Sequence, residues 1–166
     1  MTLDTQLHDL AAAVGQALKS CGLVLATAES CTGGWVSEAL TMVSGSSDWF
    51  DRGFVTYTNA AKQEMLGVSA ATLQAHGAVS EQTVREMVSG ALAHSRAQVA
   101  LAVSGVAGPT GGTPAKPVGT VCFAWGAAGR PSVTQTRHFA GDRYAVRRQS
   151  VIEALEGVLR IVQQSD

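Results

Sequence analysis

The 166-residue sequence is 46% hydrophobic and 15% charged with 18 glycines, the balance of one compact domain rich in tight turns rather than of a disordered or fibrous chain. Its formal net charge of −1 supplies no field for gripping a nucleic-acid backbone or an anionic membrane, so an anionic ligand has to be small and held locally. Cys21, Cys31 and Cys122 are odd in number, widely spaced and without a Cys-x-x-Cys pair; they indicate neither a disulfide framework nor a thiolate metal site and fit a reducing cytoplasm.

Residues 1–10 carry Asp4, His8 and Asp9 where a secretion signal needs an apolar run, and no stretch reaches the roughly 18–20 apolar residues of a membrane span. The expectation is a cytoplasmic protein folded as a single domain over residues 1–166. Leu3, Leu7, Leu10, Val14 and Leu18 recur at intervals of three and four, which predicts an amphipathic helix ending near Ser20-Cys21-Gly22. An apolar strand over 23–28 follows. It runs into Glu29-Ser30-Cys31-Thr32-Gly33-Gly34, and a second amphipathic pattern begins at Trp35 and stops near Val43.

Residues 50–58 read as a second strand, and Asn59 as the N-cap of a helix that holds Lys62, Met65 and Leu66 and ends at Gly67. A short helix over 69–76 precedes a longer one capped by Ser80 and reaching about Arg96. Residues 99–103 are wholly apolar and predict a buried strand. The stretch 104–117 contains four glycines and three prolines, which rules out helix or central strand and makes it a long, stiff loop. Strands over 118–126 and 132–139, joined by Ala127-Ala128-Gly129-Arg130-Pro131, predict a hairpin, and a last helix covers about 142–162. Early alternation of strands and helices followed by a hairpin predicts a three-layer α/β/α domain with a mixed, mostly parallel five-stranded sheet.

A strand running directly into a helix at Ser30 places that hydroxyl at the C-terminal edge of the sheet, beside unpaired amides at the start of a helix. Gly33 and Gly34 remove bulk from the turn so that a substrate can approach the backbone. If the first two strands are parallel neighbours, Tyr57 and Lys62 arrive at the same edge. The glycine-proline loop opens there too, in the crevice where open α/β sheets bind ligands. A desolvated lysine beside a serine can act as its base. Taken singly, Ser30 is an ordinary N-cap, Lys62 an ordinary solvated lysine and Tyr57 an ordinary packing aromatic. His8, His76, His94 and His138 are scattered without metal-binding spacing, and the 105–116 stretch lacks the Gly-Lys-Ser/Thr of a nucleotide P-loop.

Several longer motifs carry a family resemblance: Ala28 to Gly34, Tyr57-Thr58-Asn59-Ala60-Ala61-Lys62 with Leu66-Gly67-Val68, Gly77-Ala78-Val79-Ser80, Ser104-Gly105-Val106-Ala107-Gly108-Pro109 with Gly111-Gly112 through Thr120, and Gly141-Asp142-Arg143. In this order they resemble the CinA C-terminal domain family over nearly the whole chain. That family includes stand-alone deamidases of nicotinamide mononucleotide. The resemblance implies a metal-independent amidohydrolase with no cofactor, in which Ser30 is the nucleophile and Tyr57 and Lys62 complete the catalytic set.

The substrate-binding groups expected on this reading are Glu29, Cys31, Thr32, Gly33, Gly34, Asn59, Ser104, Gly105, Ala107, Gly108, Gly111, Gly112 and Arg143. The 105–112 backbone, or Arg143 and Arg147 four residues apart, would hold the phosphate. The sequence departs mildly from the family pattern at Ser44, Ser104 and Val106. Two other readings stand beside this one: Cys31 as nucleophile with Glu29 and Lys62, and a non-catalytic nucleotide sensor or interaction module linked to competence or DNA damage. The partner expected is a small nucleotide, with neither nucleic acid nor membrane; a homo-oligomer is compatible with the sequence.

Overall fold

The computed structural model describes residues 4–164; Leu3, expected on the stripe of the first helix, lies outside the described residues. In chain order the elements are α1 (Thr5–Ser20), β1 (Leu25–Glu29), α2 (Trp35–Thr41), a 3-10 turn (Ser46–Asp48), β2 (Phe50–Val55), α3 (Asn59–Leu66), α4 (Ala70–His76), α5 (Glu81–Ala93), β3 (Val99–Gly105), β4 (Thr120–Ala127), β5 (Val133–His138) and α6 (Arg143–Gln163). The sheet order is β2-β1-β3-β4-β5. β1 is parallel to both β2 and β3, while β4 is antiparallel to β3 and β5, so four strands run one way and β4 returns against them. The expected three-layer architecture with a mixed sheet is therefore present.

Strand periodicity explains which helix covers which face. Leu25, Val99, Leu101, Val103, Val121, Phe123 and Trp125 all pack into one cluster with the buried residues of α1, α2 and α6. The intervening positions Ala26, Ala28, Ala100, Ala102, Cys122 and Ala124 face α3, α4 and α5. Since alternate side chains leave a strand on opposite faces, one face is built of bulky residues and the other mostly of alanine. The alanine face lets α5 lie close. On the bulky face Trp125 is 2% exposed, donates its indole N–H to Ala154 O at 2.8 Å, and presses its ring against Gly157, where a Cβ has no room.

Helix ends follow short-range chemistry. Asp4 caps α1 through Leu7 N, and Arg148 of α6 grips the same carboxylate at 2.9 Å, holding its pKa below the usual range. Ser80 accepts from Thr83 N at 3.1 Å as the cap of α5. The cap of α3 is Thr58 and not Asn59: Thr58 keeps extended backbone (φ −100°, ψ 162°) and its hydroxyl accepts from Ala61 N, so Asn59 already belongs to the helix.

Two strand limits also shift. β2 ends at Val55, because only Thr56 N still reaches β1, donating to Glu29 O at 2.8 Å. β3 extends to Gly105, two residues into the stretch expected to be loop, because β4 returns beside it and pairs Ser104 with Cys122 and Gly105 with Val121. The loop that remains, 106–119, is closed at its neck by Val106 N to Thr120 O (2.9 Å) and Gly119 N to Val106 O (2.8 Å).

Candidate active site

The parallel run of β2, β1 and β3 brings three strand ends to one edge, and a cleft of about 280 Å³ opens there. Ser30, Cys31, Tyr57, Lys62, Ser104, Gly105, Ala107 and Arg143 line it. Ser30 follows the last residue of β1 and is held by its own amide, which donates to Val103 O at 3.0 Å.

Lys62 is the buried cation of this cleft. It sits in the first turn of α3 with only 1% of its surface exposed. Its Nζ lies 2.9 Å from Ser30 Oγ, 2.8 Å from Thr56 O and 3.5 Å from Tyr57 O. Burial lowers its pKa from the ordinary 10.5 to about 8. A neutral amine has two N–H donors and one lone pair. Carbonyl oxygens only accept, so Thr56 O and Tyr57 O orient the two donors and leave the lone pair for the Ser30 hydroxyl proton.

The turn after Ser30 is held from two sides. The Glu29 carboxylate is fully buried, and its oxygens accept from Thr32 Oγ1 (2.7 Å), Val36 N (2.8 Å), Ser37 N (3.0 Å) and Ser37 Oγ (2.8 Å). Those bonds complete the orphan amides at the start of α2. From the other side Arg147 donates to Cys31 O at 3.0 Å and Thr32 O at 3.2 Å while stacking on Trp35 at 5.4 Å. Gly33 and Gly34 take φ of 58° and 100°, which the tight reversal into α2 demands.

The expected residues thus divide. Glu29 and Thr32 lie inside the turn as its scaffold, with their polar atoms bonded to the protein. Gly33, Gly34, Asn59, Gly108, Gly111 and Gly112 do not line the cleft, and Asn59 is exposed at the start of α3. Cys31 does line it, but burial, reinforced by the Glu29 charge, pushes its thiol up to about 12, which keeps it protonated.

Arg143 and Arg147 share one face of α6, as their spacing predicts, but both are engaged with the protein. Arg143 donates to Gly108 O at 2.8 Å and to the Tyr57 hydroxyl at 3.1 Å, spanning the mouth of the cleft. Two wall residues, Ala78 and Val79, were not anticipated. The available signal was topological: α5 runs antiparallel to β3, so the connection before α5 must lie at this same edge. The role of the Thr56 carbonyl has no sequence signal at all. Among the described residues no three His, Cys, Asp or Glu side chains gather as a metal site, and no helix is long and apolar enough to cross a membrane.

A serine and a buried lysine thus face one another at the strand-end crevice of a mixed α/β/α sheet. The chain belongs to the CinA C-terminal domain family, whose model matches residues 7–162. It is 54% identical over 153 residues to the nicotinamide-nucleotide amidohydrolase PncC of Escherichia coli K12, covering 92% of this chain and 93% of that protein. A protein of the same name from Pseudomonas putida is 54% identical over 152 residues, 92% of this chain and 94% of that one. The crystal structure of the competence/damage inducible protein CihA from Agrobacterium tumefaciens superposes with a TM-score of 0.93 at 45% identity, covering 97% of this chain and 99% of that one.

Proposed function

We propose that this protein hydrolyses the carboxamide of nicotinamide mononucleotide to nicotinate mononucleotide and ammonia, with Ser30 as nucleophile and Lys62 as its base. The observation that carries the mechanism is the 2.9 Å contact between a buried, pKa-lowered amine and the serine hydroxyl. The relatives' activity supplies the substrate.

Neutral Lys62 takes the Ser30 proton as Oγ attacks the carboxamide carbon, giving a tetrahedral oxyanion. The amides of Ser30, Gly33 and Trp35 already donate to Val103 O, Ser30 O and Thr32 O, so the oxyanion falls to the amide of Cys31, the one residue of the 31–34 turn that lines the cleft. Protonated Lys62 then passes its proton to the leaving nitrogen and ammonia departs. Water, deprotonated by the same lysine, resolves the acyl-serine to the carboxylate and restores the Ser30 hydroxyl. Thr56 O and Tyr57 O hold Lys62 through both half-reactions, and no metal takes part in any step.

The test is ammonia release from nicotinamide mononucleotide. Ser30→Ala should abolish it while leaving the far-ultraviolet circular dichroism spectrum unchanged. Cys31→Ala should keep substantial activity. A Ser30→Ala protein with full activity overturns the assignment, and Cys31→Ala alone being dead would install the thiol instead. If the unmutated protein releases no ammonia, the interaction-module reading takes its place.

A further inference from the structure

Beside the serine cleft lies a larger cavity, of about 650 Å³. It occupies the other half of the same sheet edge, where β4 begins and β5 ends, and it is closed by the start of α5 and by Lys116 of the 106–119 loop. Val79 is a wall of both cavities. The Thr120 carbonyl, from a residue of the large cavity, receives the amide of Val106, next to Gly105 of the cleft. One side chain and one β-sheet rung therefore separate them.

The serine cleft alone, about 280 Å³, falls just under the roughly 300–1,000 Å³ usual for ligand sites. A base, a ribose and a phosphate together would fill it completely, whereas the neighbouring cavity offers more than twice its volume. The cationic groups of the cleft hold its own walls in place: Lys62 bonds Ser30 and Thr56 O, Arg143 spans Gly108 O and Tyr57, and Arg147 fastens Cys31 O and Thr32 O.

The large cavity has cationic donors to spare. Lys116 Nζ makes one bond, to His76 O at 2.6 Å, of the three its ammonium can donate. Arg85 makes one, to Thr134 Oγ1 at 3.2 Å. Thr120 donates its hydroxyl to Pro117 O at 2.7 Å, so it accepts from His138 Nδ1 at 3.2 Å. Against these stands one carboxylate, Glu81, whose oxygens accept from Thr134 (2.6 Å) and Thr136 (2.9 Å).

Resting on the deamidase reading, we propose that this second cavity receives the phosphate-bearing end of the nucleotide, with Lys116 and Arg85 as its charge partners, while the carboxamide end enters the serine cleft past Val79. The ligand class is a ribose 5-phosphate or the equivalent end of a mononucleotide.

Ribose 5-phosphate binding measured by calorimetry tests this without any turnover. The unmutated protein should bind it, and Lys116→Ala/Arg85→Ala should bind it at least tenfold more weakly. Absence of binding to the unmutated protein, or equal binding by both, overturns the proposal even if deamidation proceeds. In the kinetic arm the double variant should raise KM for nicotinamide mononucleotide about ten- to a hundred-fold at similar kcat, as lost charged contacts to phosphate do, and leave kcat/KM for nicotinamide riboside unchanged. If Arg143→Ala instead erases the preference for mononucleotide over riboside and the double variant does not, the phosphate sits at the Arg143 bridge and the proposal fails. Failure of the deamidase reading itself would show separately, as absence of ammonia from the unmutated protein.

Discussion

Replacing Lys62 by methionine separates what the buried amine costs the fold from the base role proposed for it. Burial brings its pKa from 10.5 to about 8, so near pH 7 the folded protein encloses a side chain that is still mostly charged. At about 1.4 kcal/mol per pH unit, that enclosure costs about 3 kcal/mol. Methionine has a comparable reach and no charge. It forfeits the bond to Thr56 O (2.8 Å in the unmutated protein), and leaving that acceptor unpaired costs about 1–2 kcal/mol.

The Lys62→Met protein, expected to be inactive, should therefore be more stable than the unmutated one at pH 7, by about 1–2 kcal/mol. Between pH 8 and 10.5 the unfolded lysine still binds a proton that the folded one has released. Stability of the unmutated protein accordingly rises with pH in that window, and the variant has nothing there to titrate. Its advantage should be level below about pH 8 and then shrink and reverse toward the pKa of the unfolded lysine. Urea unfolding of both proteins, each also carrying Cys31→Ala, at a series of pH values reads this directly, because the thiol coupled to Lys62 is then absent and the uncoupled titrations cancel in the difference. A stability difference independent of pH would refute the desolvation argument.

Four further outcomes follow from the same structure. Because the base must be neutral, kcat/KM should climb with pH through about 8, the folded pKa of Lys62, and Lys62→Arg should be inactive since guanidinium stays protonated; chelators should change nothing in the same assay. On the bulky face of the sheet, Gly157→Ala drives a methyl group into the Trp125 ring, which its bond to Ala154 O holds in place. The gain from helix propensity, about 1 kcal/mol, should be outweighed, with a net loss of roughly 1–3 kcal/mol and a lower Tm by calorimetry.

The architecture was legible because its signals are periodic. Alternation of strand and helix, the hairpin turn at 127–131 and the stop signals at Gly22 and Gly67 each belong to a short window. The convergence of Ser30, Tyr57 and Lys62 on one cleft was legible through topology, since parallel neighbouring strands share an edge. The assignments that could not be made depend on where a polar side chain finds its partner. Glu29 beside a nucleophile looks like a ligand group until its four donors in the turn and α2 are seen. Arg143 and Arg147 look like an anion clamp until the carbonyls of Gly108, Cys31 and Thr32 are seen to occupy them. Thr58 and Asn59 are both competent caps, and only the backbone angle between β2 and α3 chooses. The split between bulky and alanine faces was present in the alternation of residues 99–103, hidden because every residue there is apolar.

The reversed direction of β4 has a consequence beyond sheet order. A parallel return would have required a helical crossover, whereas here the chain leaves and re-enters at one rung, with Val106 bonded to Thr120 and Gly119 on either side of the neck. Everything distal to that rung, including the Lys116 that walls the large cavity, is topologically a cassette. Lengthening such a segment costs only about 0.6 kcal/mol per doubling in closure entropy. The bulk and charge beside the large cavity can therefore be exchanged by grafting within this segment, with Ala107 of the cleft and Gly108, whose carbonyl holds Arg143, kept, so that Ser30 and Lys62 stay in register.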